Sequence, residues 1–194
     1  FGVFCYNNRM IKNRIVSLVA LALTLMVSSN LNADDRSWIQ DSTIILQAAK
    51  EEIQFSKDSG STVTACSIYV GNVLDRAGFS VGSFVSNNFH NSMAAHLPHW
   101  QSAQFTTDNP GEDQEALRNF LNAAPDHSVF LAQWSRVGQG GHVAIVEKVS
   151  ADNYLIYQSQ SNLTLPHSKP AKVRNLLYPK GEWGDRSHLR LFFE

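Results

Sequence analysis

Three positions in this chain have the types and order that covalent chemistry needs: Cys66, His142 and a glutamine at 158 or 160. Cys66 lies in "TVTACSIYVGNVLDRAGF", residues 62–79, where a helical pattern begins. A thiol in the first turn of a helix feels the positive end of the helix dipole and N–H groups that lack an intrahelical partner, and both favour the thiolate. The same N–H groups can receive the oxyanion that forms when a thiolate attacks a carbonyl. Such chemistry also needs a base within reach and a group that orients the base. Among seven histidines, His142 has the setting of a base: it opens "GHVAIVEKV" directly after "GQGG". Glycine admits close backbone approach there, and the end of a strand projects its side chain from a rigid element.

The orienting group is expected on the next strand. Across the turn "SADN", a strand over 154–160 should pair with 142–149, with Tyr154, Ile156, Gln158 and Gln160 on one face. Gln158 or Gln160 could accept the imidazole N–H and fix its tautomer, as an amide does in some Cys-His sites. The bland reading makes them polar strand residues facing water. His90, His96 and His99 form an H-x5-H-x2-H cluster that matches no strong zinc spacing and has no cysteine beside it, so neither metal nor cofactor is expected. His127, His167 and His188 are expected on the surface or in loops. Trp100, Trp134 and Trp183 are expected to pack rather than to line a cleft, whereas "NNFHNSMAAHLPHW" (87–100) could wall one.

Elements that could position these groups follow from periodicity. Residues 37–57 read as a helix with Trp38, Ile45, Ala49 and Ile53 on one stripe, ended by "KDSGSTVT". In the next helix Cys66, Tyr69, Val70, Val73, Leu74 and Ala77 share a face. Thr62 or Thr64 is the expected N-terminal cap and Gly78 the left-handed C-terminal one. A weaker helix over 86–97 stops at Pro98, and "DNPGEDQEALRNFLNAA" is a turn followed by a helix that stops at Pro125. Strands are expected at 128–134, 141–149, 154–160 and near the end in "HLRLFFE". Helices followed by an antiparallel meander imply an α+β fold. At 194 residues, 43% of them hydrophobic, the chain can bury one domain but not two ordinary ones.

From Met10 the chain reads "MIKNRIVSLVALALTLMVSSNLNADD": basic residues, an apolar stretch Ile15–Val27, then small and polar residues. This is the layout of a secretory signal peptide with cleavage after Ala33, and its apolar part is shorter than the roughly 20 residues of a spanning helix. Met10 is the expected start, with residues 1–9 as upstream sequence. The organisation expected is therefore 1–33 as leader and 34–194 as a single catalytic domain. Cleavage would remove Arg9, Lys12, Arg14 and Cys5, leaving Cys66 as a lone thiol in an exported chain, where cysteines are normally paired. The formal net charge of −1 and the lack of a Lys/Arg run exclude a general nucleic-acid binder.

Taken together, "ACSIYVGNVLDRAGF" and "GHVAIVEKVSADNYLIYQSQS" resemble the CHAP and NlpC-like branch of papain-fold cysteine amidohydrolases. The resemblance covers about residues 60–162 and keeps the order Cys then His. It implies a papain-like fold with N-terminal helices on a small antiparallel sheet and the nucleophile at a helix N-terminus. It assigns Cys66 as nucleophile, His142 as general base and Gln158 as the third polar residue, with Gln160, Ser67 and Thr64 as auxiliaries. Many members have Glu where Gln158 stands, and many carry a polar residue where Ala65 precedes the cysteine. The function implied is a periplasmic or secreted bacterial hydrolase that cuts amide bonds of peptidoglycan stem peptides. It would act off the membrane after leader cleavage, with a targeting protein or cognate inhibitor as a further partner. Two other readings keep the fold: a catalytically idle wall-binding module, and a thiol acyl-transfer enzyme on another amide or ester.

Overall fold

The computed structural model describes residues 33–60, 65–106, 110–136, 140–160, 165–177 and 187–194. The leader, Met10, Cys5, Thr62, Thr64 and Trp183 lie outside these residues, as does the side chain of Trp38. The chain divides into two compact units, 1–38 and 39–194, and the second contains the sheet and its packed helices.

Helix α1 (Ala33–Ser59) buries Ile45, Ala49 and Ile53 on one stripe, together with Glu52 and Ser56. Its outer face carries i,i+4 hydrogen bonds, Gln47 to Glu51 and Gln54 to Asp58, each 2.7 Å. Helix α2 (Cys66–Arg76) buries Tyr69, Val70, Val73 and Leu74 completely. Tyr69 donates its hydroxyl to the Ala49 carbonyl at 3.2 Å. The buried carboxylate of Glu52 accepts from Asn72 at 2.8 Å and Arg76 at 3.0 Å, so α1 and α2 are joined by polar as well as apolar contact.

The ends of α2 divide the sequence expectations. At the C-terminus Gly78 takes φ +89°, its N–H reaches the Asp75 carbonyl at 3.1 Å, and Phe79 N–H reaches Leu74 at 2.8 Å. This double bond is a Schellman ending, as the glycine leads one to expect. At the N-terminus the capping position is Ala65, which has no side-chain bond to give, in place of the expected threonine. A short 3₁₀ turn (Ser86–Asn88) then leads into α3 (Phe89–His96), anchored by Phe89 and Met93.

Among the described residues the sheet is antiparallel throughout, with six strands in the order β1-β6-β2-β3-β4-β5. They are β1 (Gln101–Phe105), β2 (Val129–Arg136), β3 (His142–Ser150), β4 (Asn153–Gln158), β5 (His167–Ala171) and β6 (Ser187–Phe193). Four match expected strands. The two unforeseen ones, "QSAQF" and "HSKPA", form the edges, where alternation is weak and Pro170 is tolerated because an edge strand need not donate from every residue. The meander expected holds for β2 to β5, while β6 inserts between β1 and β2.

One face of the sheet, with Val129, Leu131, Val143, Ile145, Tyr157 and Phe192, packs on α1, α2 and α3. Against the other lie α4 (Pro110–Ala123) and α5 (Val173–Leu177): Phe120 meets Phe130 and Phe193, and the Trp134 indole donates to the Leu176 carbonyl at 2.6 Å. The architecture is α+β with a sheet larger than anticipated. Truncating Leu74, fully buried between α2 and the sheet, to alanine is predicted to cost about 2–5 kcal/mol in urea denaturation. A loss below about 0.5 kcal/mol would contradict this packing.

Candidate active site

Cys66 is the first residue of α2, and the earliest intrahelical bond of that helix runs from Tyr69 N–H to Ala65 at 3.1 Å. The N–H groups of Cys66, Ser67 and Ile68 therefore precede the helical ladder and point out of its end. His142 is the first residue of β3 and lies close enough to Cys66 for its imidazole to act on the thiol. Ile145 lies opposite Tyr157, so Gln158 falls one step along β4, on the sheet face that His142 shares. His142 Nε2 donates to Gln158 Oε1 at 2.9 Å, which leaves Nδ1 as the ring nitrogen for the sulfur. The structure thus brings Cys66, His142 and Gln158 together, and it chooses Gln158 over Gln160, which stands two residues past the end of β4. Ser67 contributes its place in the first turn of α2, and Thr64 lies outside the described residues.

Two further groups lie against the sulfur. Ser86 in the 3₁₀ turn shares a 3.1 Å hydrogen bond with Cys66 Sγ, and the Val143 backbone N–H is near enough to favour the thiolate. Burial raises the thiol pKa, but the His142 hydrogen bond and charge, with Ser86 and the Val143 N–H, outweigh it and lower the value from 9.0 to about 7. Ser86 is itself held from β2: buried Gln133 donates to the Ser86 carbonyl at 2.7 Å and lies 3.4 Å from His90 Nδ1. Nothing in the sequence singles out Ser86, which lies twenty residues from Cys66 and meets it only through tertiary folding. The segment 87–100 starts within the 3₁₀ turn that carries Ser86.

Trp134 and His142 are paired across β2 and β3, with ring centroids 5.4 Å apart and planes inclined by 29°. Trp134 is a buried core residue, as expected, and it also stacks on the imidazole. Gly141 is required by close approach: a β-carbon there would collide with the Trp134 carbonyl oxygen and the Asn87 side chain, whereas Gly140 has open space.

The remaining histidines differ from expectation in two cases. His127 is an exposed turn residue with φ +67°. His167, by contrast, opens β5 and stands opposite Gln158, whose amide nitrogen lies 3.3 Å from its Nε2, and His188 is a strand residue of β6. His90, His96 and His99 have separate neighbours: Gln133, Gly82 and Glu194. Among the described residues no group of three or more His, Cys, Asp or Glu is placed to hold a metal ion. Compared with protein-family models, curated proteins and solved structures, the chain matches none.

Two measurements check this geometry. Alkylation of Cys66 by iodoacetamide consumes thiolate, so its rate should rise with pH through a midpoint near 7, and His142→Ala should move that midpoint upward because burial then acts with less opposition. A wild-type midpoint near 9.0 would contradict the site. Gly141→Ala should displace the start of β3, costing about 1–3 kcal/mol and slowing alkylation. Unchanged values of both would show that the approach is not tight.

Proposed function

We propose that the chain is an exported cysteine amidohydrolase of papain-like fold that cleaves amide bonds in peptidoglycan stem peptides. The observation that carries the reading is that the Cys66 thiol lies beside His142, whose Nε2–H donates to Gln158 Oε1 at 2.9 Å. It supplies the three roles that thiol catalysis needs: a lowered thiol, a base and an orienter. The substrate class comes from the resemblance of "ACSIYVGNVLDRAGF" and "GHVAIVEKV" to wall amidohydrolases, and the leader-like segment at Met10 agrees with a wall substrate.

In this mechanism Cys66 gives its proton to His142 Nδ1 and the thiolate attacks the substrate carbonyl. The oxyanion forms against the backbone N–H groups at the start of α2, and the Ser86 hydroxyl lies 3.1 Å from the sulfur. The imidazolium then protonates the leaving amine as the C–N bond breaks, which leaves a thioester. Neutral His142 next takes a proton from water, whose oxygen attacks the thioester and returns the free acid and the thiol. Gln158 stays neutral throughout and keeps the ring in place.

Incubation of the purified mature chain with muropeptides, read by mass spectrometry, should yield new stem-peptide fragments. Cys66→Ala should slow their release by about a thousandfold or more while leaving thermal denaturation nearly unchanged. Equal release by the variant would remove Cys66 from the mechanism. No release by either chain would favour the idle wall-binding module.

A further inference from the structure

We propose that His167 is a positioning residue that holds the Gln158 amide in the one orientation that makes His142 a base. The inference rests on reading Cys66 and His142 as a thiol–imidazole pair. Gln158 is 2% exposed and its amide stands between two imidazoles, with Oε1 2.9 Å from His142 Nε2 and the amide nitrogen 3.3 Å from His167 Nε2. The two ends of a glutamine amide have nearly the same shape and opposite polarity, so a neighbour must select which end faces which ring. His167 is the neighbour the fold supplies, since it lies directly opposite Gln158 in the β4–β5 ladder.

With its proton on Nδ1, which is buried with no hydrogen-bond partner among the described residues, a neutral His167 offers Nε2 as an acceptor that the amide NH₂ satisfies. The amide carbonyl is then turned to His142, which must carry its proton on Nε2 and keep the Nδ1 lone pair for the thiol. The reversed amide would set NH₂ against His142 Nε2, demand a lone pair there and put the ring proton on Nδ1, facing sulfur. That arrangement has no base, and it opposes the imidazolium, in which both nitrogens donate. Burial keeps His167 on the neutral side of its ordinary value, helped by Lys169 on its own strand and His142 on β3, and offset in part by the Leu165 backbone. Strand β4 faces it with uncharged Gln158, and Arg174 of the adjoining α5 is exposed.

The test reads the site without a substrate. Nitrogen-15 shifts of the imidazoles should report His167 as the Nδ1–H tautomer in the wild-type chain and His142 as Nε2–H in the Cys66→Ala chain. Iodoacetamide alkylation of His167→Leu should show a midpoint raised by about one pH unit and a rate at neutral pH reduced about tenfold. His167→Gln, which restores an acceptor toward the amide, should return the rate to within about threefold of wild type. An Nε2–H tautomer on His167, a leucine variant alkylated like wild type, or a glutamine variant as impaired as leucine would each overturn the proposal. Should the leucine variant fail to fold, the tautomer of His167 in the wild-type chain decides. Because neither readout uses muropeptides, failure of the amidohydrolase reading and failure of this one are told apart.

Discussion

A neutral imidazole has two nitrogens and one proton, and a thiol can be activated only by the nitrogen that lacks it. The hydrogen bond from His142 Nε2–H to Gln158 Oε1 therefore governs this site: it places the proton on the far side of the ring. The fold secures that bond through backbone pairing. His142 opens β3, β4 returns beside it after a tight turn, and period-two alternation sets both side chains on one face of the sheet. The ring is held against rotation by the indole of Trp134 from the other neighbouring strand. A base so fixed loses little conformational freedom on reaching its working geometry.

Burial alone would work against the sulfur, and comparison with nearby hydroxyls shows what reverses it. Tyr69 and Tyr157 are buried in the same core, and burial raises both, with Glu52 and Glu147 adding to the shift through their negative charge. Cys66 is also raised by burial, yet its neighbours are an imidazole, a hydroxyl and a backbone N–H, all of which stabilise an anion. The sign of the shift is thus decided by the chemical types placed around each group. Those types arrive from separate elements: the thiol on α2, the imidazole and amide N–H on β3, and the hydroxyl on the 3₁₀ turn fastened by Gln133 of β2.

Legibility in the sequence tracks the range of the interactions. Helix α2 and strand β3 are readable because their periodicity is local, and Gly78 is readable because a Schellman ending needs a positive φ. The meeting of His142 with Gln158 can be foreseen because only a tight turn separates their strands, though local pattern alone does not choose between Gln158 and Gln160. Strands β1 and β5 escape a sequence reading: as edges they lack a two-sided apolar demand, and Pro170 argues against a strand by itself. His167 reads wrongly as a surface or loop residue for the same reason, since its meaning depends on a strand that local pattern hides. Ser86 leaves no local sign either, because its contact with Cys66 exists only once the 3₁₀ turn docks on β2. At the N-terminus of α2 the capping position is Ala65, and the expected caps Thr62 and Thr64 lie outside the described residues.

The proposal to be tested is that Cys66 forms a covalent bond with substrate while His142 moves the proton. Acid quenching of the chain during turnover of muropeptides, followed by intact-mass and peptide analysis, tests it most directly. The account predicts an acyl adduct confined to the peptide that contains Cys66, present in wild type and lost in the Cys66→Ala chain. Turnover with no adduct, or an adduct on another residue, would contradict it.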